Sequence, residues 1–89
     1  MSAVATTIST WRQRVANLRC QEICDSLVHL GFRVRNGRAG HRIVSHAGLP
    51  DWFGTDFDCG HGQNNTVKPA YVRKLVRILS DLKDELELL

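Results

Sequence analysis

The sequence predicts an α+β fold in which a three-stranded antiparallel sheet has two helices on one face, plus an extra N-terminal helical segment. Three observations lead to this prediction. Apolar residues recur at helical spacing before Gly31 and again after Pro69. Between these stretches, apolar and polar residues alternate as they do in half-buried strands. Glycine-containing turn sequences interrupt the alternation twice, which divides it into three strands.

The helical pattern before Gly31 contains two apolar stripes that do not align. The stripes consist of Trp11, Val15 and Leu18 and of Ile23, Leu27 and Leu30. We therefore expect either two helices or one helix that packs against different partners on two faces, and Gly31 ends the pattern.

The first residues are small and hydroxylated, so we expect residues 1–10 to form a loose tail. Ser9 or Thr10 then caps a helix that begins near Trp11. Residues 1–19 are accordingly predicted to be a partly helical extension, and residues 20–89 the main domain.

The strand pattern begins with residues 32–35, in which apolar and basic residues alternate. The dipeptide Asn36-Gly37 that follows is typical of a tight hairpin turn. Residues 40–46 and 55–59 are predicted to form the second and third strands. The loop between these two strands contains Trp52 and Phe53, which we expect to fold back onto the core.

The last helix is predicted to start at Pro69, because proline fits the first helical turn, where its missing N–H is not needed. A single apolar stripe then follows, consisting of Val72, Leu75, Val76, Leu79 and Leu82. Acidic residues at 81–87 lie at the negative end of the helix dipole, so we expect this end to fray.

Positive charge is concentrated in the first half of the chain. Residues 1–50 contain seven arginines and two acidic residues, a net of +5, whereas residues 51–89 have a net of −2. Arginine matches phosphate oxygens two at a time, so this charge favours a polyanionic partner, with nucleic acid ahead of membrane. No apolar run is long enough to span a membrane, and no secretory signal is evident, so we expect a cytoplasmic protein.

The three cysteines, Cys20, Cys24 and Cys59, are expected to be free thiols, since their number is odd and no export signal is evident. Together with His61 they supply four residues of the kind that bind zinc. Their spacing is unlike that of common zinc motifs, so we predict no metal site and no cofactor.

Arg33, Arg35, Arg38 and Arg42 lie within ten residues of the predicted hairpin, with no acidic residue among them. They are expected to bind phosphate, together with Lys68 and Arg73 at the start of the last helix; a solvated strand face is the alternative. His41 lies among these arginines and can exchange a proton near neutral pH. RNA can be cleaved when its 2′-hydroxyl attacks the adjacent phosphorus. This reaction needs a side chain that exchanges protons, and cations around the phosphorus.

Three segments give the chain a resemblance to the HicA-type (YcfA-like) toxins of bacterial toxin–antitoxin systems. They are Leu30-Gly31-Phe32, Gly37-Arg38-Ala39-Gly40-His41-Arg42-Ile43, and His61-Gly62-Gln63 followed by Val67-Lys68-Pro69-Ala70-Tyr71-Val72-Arg73-Lys74-Leu75. The resemblance implies a fold like that of the double-stranded-RNA-binding domain and metal-independent cleavage of mRNA by His41. It also implies a HicB-type antitoxin that covers the active site. Gly40 stands where the family has a serine. We nevertheless expect Gly40 to contact RNA, because it lies within the predicted RNA-binding segment.

Two other functions are consistent with the sequence. The same fold can be a non-catalytic RNA-binding module, in which binding survives loss of His41. It can also be a protein-interaction module or self-associate through Trp11, Val15 and Leu18.

Overall fold

The computed structural model of this protein describes residues 2–60 and 64–89. Its elements are α1 (Ala3–Gln13), α2 (Cys20–His29), β1 (Arg33–Asn36), β2 (His41–Ser45), β3 (Thr55–Asp58) and α3 (Pro69–Leu88). The strands form an antiparallel sheet in the order β1-β2-β3. The α+β class and the three antiparallel strands are therefore as predicted. The segment His61-Gly62-Gln63, which contributes to the family resemblance, lies outside the described residues.

The N-terminal segment is a full helix rather than a loose tail. Helix α1 begins at Ala3, and its N-terminus is capped by Ser2, whose hydroxyl accepts a hydrogen bond from the Ala5 N–H at 3.1 Å. The prediction of a tail with a cap at Ser9 or Thr10 was wrong. Val4 and Ile8 are buried and extend the apolar stripe of Trp11 at helical spacing. Small polar residues lie between them, so the local sequence pattern does not indicate that the helix starts this early.

Helix α1 packs against α3, so its apolar stripe belongs to the core of the domain. Trp11 in α1 and Leu18 in the segment between α1 and α2 are each only 1% exposed, and Val15 in that segment is partly buried against the same cluster. The expectation that these three residues form an interaction surface is therefore wrong, because the fold itself covers them. Of the two possibilities for residues 11–30, the structure has two helices.

The hairpin between β1 and β2 has a longer loop than the dipeptide Asn36-Gly37 predicted. Asn36 lies in β1 opposite Arg42, and the loop comprises residues 37–40. The Gly37 N–H donates to the His41 carbonyl at 2.9 Å, and the His41 N–H donates to the Arg38 carbonyl at 3.0 Å. These bonds fix the position at which β2 begins.

The two faces of the sheet differ in what they contact. Val44 and Phe57 point toward the helices and join apolar residues of α1, α2 and α3 in one buried cluster. The opposite face is not part of that cluster, and we call it the open face. By the strand register it carries Arg33, Arg35, His41, Ile43, Ser45, Asp56 and Asp58.

The loop between β2 and β3 only partly matches the prediction. Trp52 is half-buried and lies edge-on to Phe32, with ring centroids 5.4 Å apart. Phe53, in contrast, is 99% exposed, so the expectation that it folds onto the core was wrong.

Helix α3 starts at Pro69, as predicted, and continues to Leu88. The helix continues through its acidic end, where Lys83 Nζ lies 3.2 Å from Glu87 Oε1. Hydrogen bonds from Ser2 and from Lys83 lower the pKa of Glu87, which favours its charged form. The start of α1 therefore contacts the end of α3.

Cys20 and Cys59 form a disulfide, which contradicts the expectation of three free thiols. Cys20 opens α2 and Cys59 follows β3, and the two Cα atoms are 5.4 Å apart although 39 residues separate them in the chain. Cys24 is the free cysteine and is partly exposed.

Candidate functional site

His41 is the first residue of β2, and its side chain lies on the open face. Alternation in the sequence did not decide between His41 with Ile43 and Arg42 with Val44 as the buried pair. The structure buries Val44, which leaves the imidazole of His41 44% exposed on the side away from the helices. A substrate can therefore reach His41 from solvent.

The imidazole of His41 is next to a carboxylate. His41 Nε2 lies 3.9 Å from Asp56 Oδ2, and Lys74 Nζ lies 3.3 Å from Asp56 Oδ1. Lys74 Nζ also donates a hydrogen bond to the Asp56 backbone carbonyl. Asp56 thus lies between a group that can exchange protons and a fixed cation.

The imidazole of His41 therefore has a carboxylate within ion-pair distance. A carboxylate in that position orients the ring and stabilises the imidazolium that forms when histidine accepts a proton. Neither Asp56 nor Lys74 was predicted from the sequence as a site residue. Alternation places Asp56 on one face of β3, but only the register between β2 and β3 shows that it reaches His41.

Arg33 and Arg35 lie on the same open face as His41, in the neighbouring strand β1. Arg35 is opposite Ile43 and Arg33 opposite Ser45, and both arginines are exposed. Neither makes an ion pair within residues 2–60 and 64–89. The open face is therefore basic along β1 and acidic along β3, with the histidine between the two.

Arg38 and Gly40 lie in the loop that precedes His41. Arg38 is exposed, and Gly40 is buried against the segment that follows β3. A Cβ atom added at Gly40 would lie 2.1 Å from the carbonyl oxygen of Gly60 and 2.6 Å from its nitrogen. Such distances are far below van der Waals contact, so this fold has no room for the serine that the resembled family carries here.

Arg42 faces α2, on the opposite side of the sheet from His41. Its guanidinium donates to the carbonyls of Gly40 and His41 at 3.2 and 3.3 Å. It also lies beside the Cys24 thiol in a cleft of about 220 Å³. Burial raises the pKa of Cys24, and Arg42 opposes this effect. Arg42 is thus separated from the other predicted phosphate-binding residues of the sheet.

Lys68 and Arg73 belong to the start of α3. Lys68 is the exposed N-cap residue, and it lines a cleft together with Asp58, Gly60 and Asn65. Arg73 is exposed on the helix, but the side chain of α3 that reaches the open face is Lys74.

Within the described part of the chain, the residues at His41 do not include a group of three or more potential metal ligands. The one such group lies elsewhere and comprises Cys20, Cys24 and Cys59. The open face thus carries a histidine, whose imidazole can exchange a proton, together with the cationic side chains of Arg33, Arg35 and Lys74.

Comparisons with protein-family models, curated proteins and solved structures found no match for this chain. None of the helices in residues 2–60 and 64–89 combines the length and the apolar character needed to cross a bilayer.

Proposed function

We propose that the open face of the sheet binds RNA and that His41 cleaves the bound strand as a metal-independent endoribonuclease. The observation that carries this proposal is the contact between His41 Nε2 and Asp56 Oδ2 at 3.9 Å, on an exposed face that also holds Arg33 and Arg35. A histidine with an orienting carboxylate is a general base, and RNA carries its own nucleophile in the 2′-hydroxyl.

In this mechanism His41 removes the proton from the 2′-hydroxyl, and the 2′-oxygen attacks the adjacent phosphorus. Asp56 stabilises the imidazolium that results. The imidazolium returns its proton to the departing 5′-oxygen, so the products carry a 2′,3′-cyclic phosphate and a 5′-hydroxyl. Arg33 and Arg35 bind backbone phosphates, and Lys74 contributes positive charge near the reacting group.

The resemblance to HicA-type proteins extends this proposal to a biological role. The chain would act as a toxin that cleaves mRNA in the cytoplasm, and a HicB-type antitoxin would cover the open face. Arg38, Lys68 and Arg73 are also exposed and would add contacts to the RNA backbone.

The test is cleavage of labelled RNA in the presence of a chelator. We expect the wild-type protein to cut RNA and His41→Ala to lose activity by at least about 100-fold, the usual contribution of a general acid–base residue. His29→Ala is the matched control, because His29 is exposed at the end of α2, and it retains full activity. Circular dichroism establishes that both variants are folded.

Cleavage by His41→Ala at the wild-type rate would contradict the assignment, and so would products with a 3′-hydroxyl and a 5′-phosphate. The cyclic phosphate is the more specific readout, because a contaminating metal-dependent nuclease does not produce it.

A non-catalytic RNA-binding module is the second candidate, and one observation favours it. Gly40 has no space for the serine of the resembled family, since Gly60 occupies that position. For this function, wild type and His41→Ala bind RNA equally in a salt-dependent manner, and neither cleaves it.

A further inference from the structure

Three sulfur atoms meet on the helix-facing side of the sheet, away from His41. The Sγ atoms of Cys20, Cys24 and Cys59 all lie within 4.8 Å of one another. Cys20 and Cys59 are buried and joined by a disulfide, and Cys24 is one helical turn after Cys20 on α2. The disulfide accounts for two of these cysteines and leaves the role of the third unexplained.

The spacing of two of these sulfurs, those of Cys20 and Cys24, matches that of a thiolate metal site. Zinc–sulfur bonds of about 2.3 Å in a tetrahedral arrangement place neighbouring sulfurs ~3.8 Å apart. Cys20 Sγ and Cys24 Sγ are already 3.9 Å apart, and the Cα atoms of Cys20 and Cys59 are 5.4 Å apart. Reduction of the disulfide frees two sulfurs that both lie within 4.8 Å of Cys24 Sγ, so all three potential ligands are close together.

The local charge also fits a thiolate-bound cation. Three thiolates and one divalent ion have a net charge of −1, which needs a nearby positive group when partly buried. Arg42 provides it, because its guanidinium lies beside the Cys24 thiol in the cleft that Cys20 and Cys24 also line. The same cleft gives the cluster access to solvent, where an exogenous ligand completes the coordination.

We propose that the reduced protein binds one zinc ion through Cys20, Cys24 and Cys59, and that the disulfide form is the metal-free state of the same site. A dithiol reductant transfers two electrons and two protons to the disulfide, which yields two thiols beside the existing thiol of Cys24. Binding of Zn²⁺ then releases three protons and forms three zinc–sulfur bonds. This reverses the sequence-based expectation of no metal site, and it is independent of the proposed RNA chemistry.

The experiment is an anaerobic titration of the full chain with Co²⁺, a spectroscopic substitute for zinc, after reduction with a phosphine that does not bind metal. We expect one equivalent of Co²⁺ to produce thiolate-to-cobalt charge-transfer absorption and the visible bands of a tetrahedral ion. Added Zn²⁺ should abolish both. The oxidised wild-type protein is the matched control, because the same sequence then has a single thiol, and it shows no such bands.

The Cys24→Ser variant tests whether Cys24 is a metal ligand. This variant retains the Cys20–Cys59 disulfide, so its fold can be verified by circular dichroism in the oxidised state. After reduction its affinity for Co²⁺ should fall by more than ~100-fold, since loss of a ligand exceeds the 10–100-fold cost of losing an outer hydrogen-bonding group.

Two results would overturn the proposal. One is the absence of charge-transfer absorption in the reduced wild-type protein. The other is undiminished Co²⁺ affinity in the reduced Cys24→Ser variant. Neither result affects the RNA-cleavage test, which is performed with chelator.

Discussion

His41 and Asp56 are diagonal neighbours on two antiparallel strands, with Nε2 and Oδ2 3.9 Å apart. The residue directly opposite His41 is Asp58, yet the contact is made with Asp56, one pleat further along β3. The other oxygen of Asp56, Oδ1, lies 3.3 Å from Lys74 Nζ, so the Asp56 carboxylate contacts both the His41 imidazole and the Lys74 amine. The proposed activity therefore depends on a residue pair that the strand register creates.

Replacement of Asp56 by asparagine should separate catalysis from binding. We expect Asp56→Asn to lower kcat by about tenfold, less than the loss of the general base itself, because the imidazolium loses its carboxylate. KM for RNA should be unchanged or lower, since a charge that repels phosphate is removed. Steady-state kinetics on a short RNA substrate measures both constants.

Asp58→Asn is the control, because it removes the same charge from the same strand face. Asp58 Oδ1 accepts a hydrogen bond from the Gly60 N–H at 2.8 Å, and the amide oxygen of asparagine can keep it. An equal loss of kcat in both variants would show that general electrostatics, rather than orientation of His41, explains the effect.

The two arginines of β1 should determine much of the affinity for RNA. In Arg33→Ala/Arg35→Ala, two phosphate contacts are lost, so the slope of log K against log salt should become less negative by ~1.4. Arg12→Ala/Arg77→Ala removes the same charge from exposed positions on α1 and α3 and should change the slope little. Equal slopes for the two double variants would exclude β1 as the binding strand.

The sequence was informative where periodicity is strong. Alternation located the three strands, and the apolar stripe with Pro69 located α3. It predicted a helical segment within residues 1–19 but not its start at Ala3, because Val4 and Ile8 are isolated apolar residues among small polar ones. A helix of this kind is stabilised mainly by packing, here against α3, and packing partners are not visible in a local pattern.

Contacts between residues far apart in the chain could not be predicted from local sequence patterns. The disulfide joins Cys20 and Cys59 across 39 residues, and Lys74 reaches Asp56 from a different element. The orientation of His41 was equally undetermined, since both alternation phases of β2 contain one apolar residue, Ile43 or Val44. Only the buried position of Val44 against the helices resolves it.

Gly40 should tolerate no side chain. We expect Gly40→Ala to lower the free energy of unfolding by roughly 2 kcal/mol, within the range for overpacked sites, because its Cβ meets the backbone of Gly60 at 2.1 Å. Gly37→Ala is the matched glycine control, since its Cβ would lie 3.2 Å from Ile43 Cδ1, the end of a side chain that can move. Urea denaturation of the two variants measures the difference, and equal stabilities would contradict the close approach of the two loops.

Helix α1 should be required for the stability of the whole domain. Trp11→Ala should cost about 3–5 kcal/mol, the usual cost of removing a fully buried aromatic ring. Trp52→Ala removes the same ring from a half-buried position and should cost less. A thermal melt of Trp11→Ala that matches wild type would show that residues 1–19 are an independent extension, as the sequence suggested.

Protonation of Glu22 in acid should lower the stability of the protein. Hydrogen bonds from the Arg14 guanidinium and from the Arg19 backbone N–H lower the pKa of Glu22 below its ordinary value of 4.5. Because the pKa is lower in the folded state, this stabilisation is complete above the unfolded pKa and is lost as pH falls through the folded one. Glu22→Gln should therefore lower the free energy of unfolding by about 0.5 kcal/mol at neutral pH, since the ion pair is partly exposed to solvent. Below that folded pKa the two proteins should converge in stability. Urea denaturation between about pH 3 and pH 7 measures this difference in stability, across the range in which a glutamate titrates.

Glu85→Gln is the control, because it removes an exposed charge that has no ion pair in the described residues. Its difference in stability from wild type should stay small at every pH. A Glu22→Gln difference that persists at the acidic limit would mean that the contact with Arg14 does not depend on the charge of Glu22.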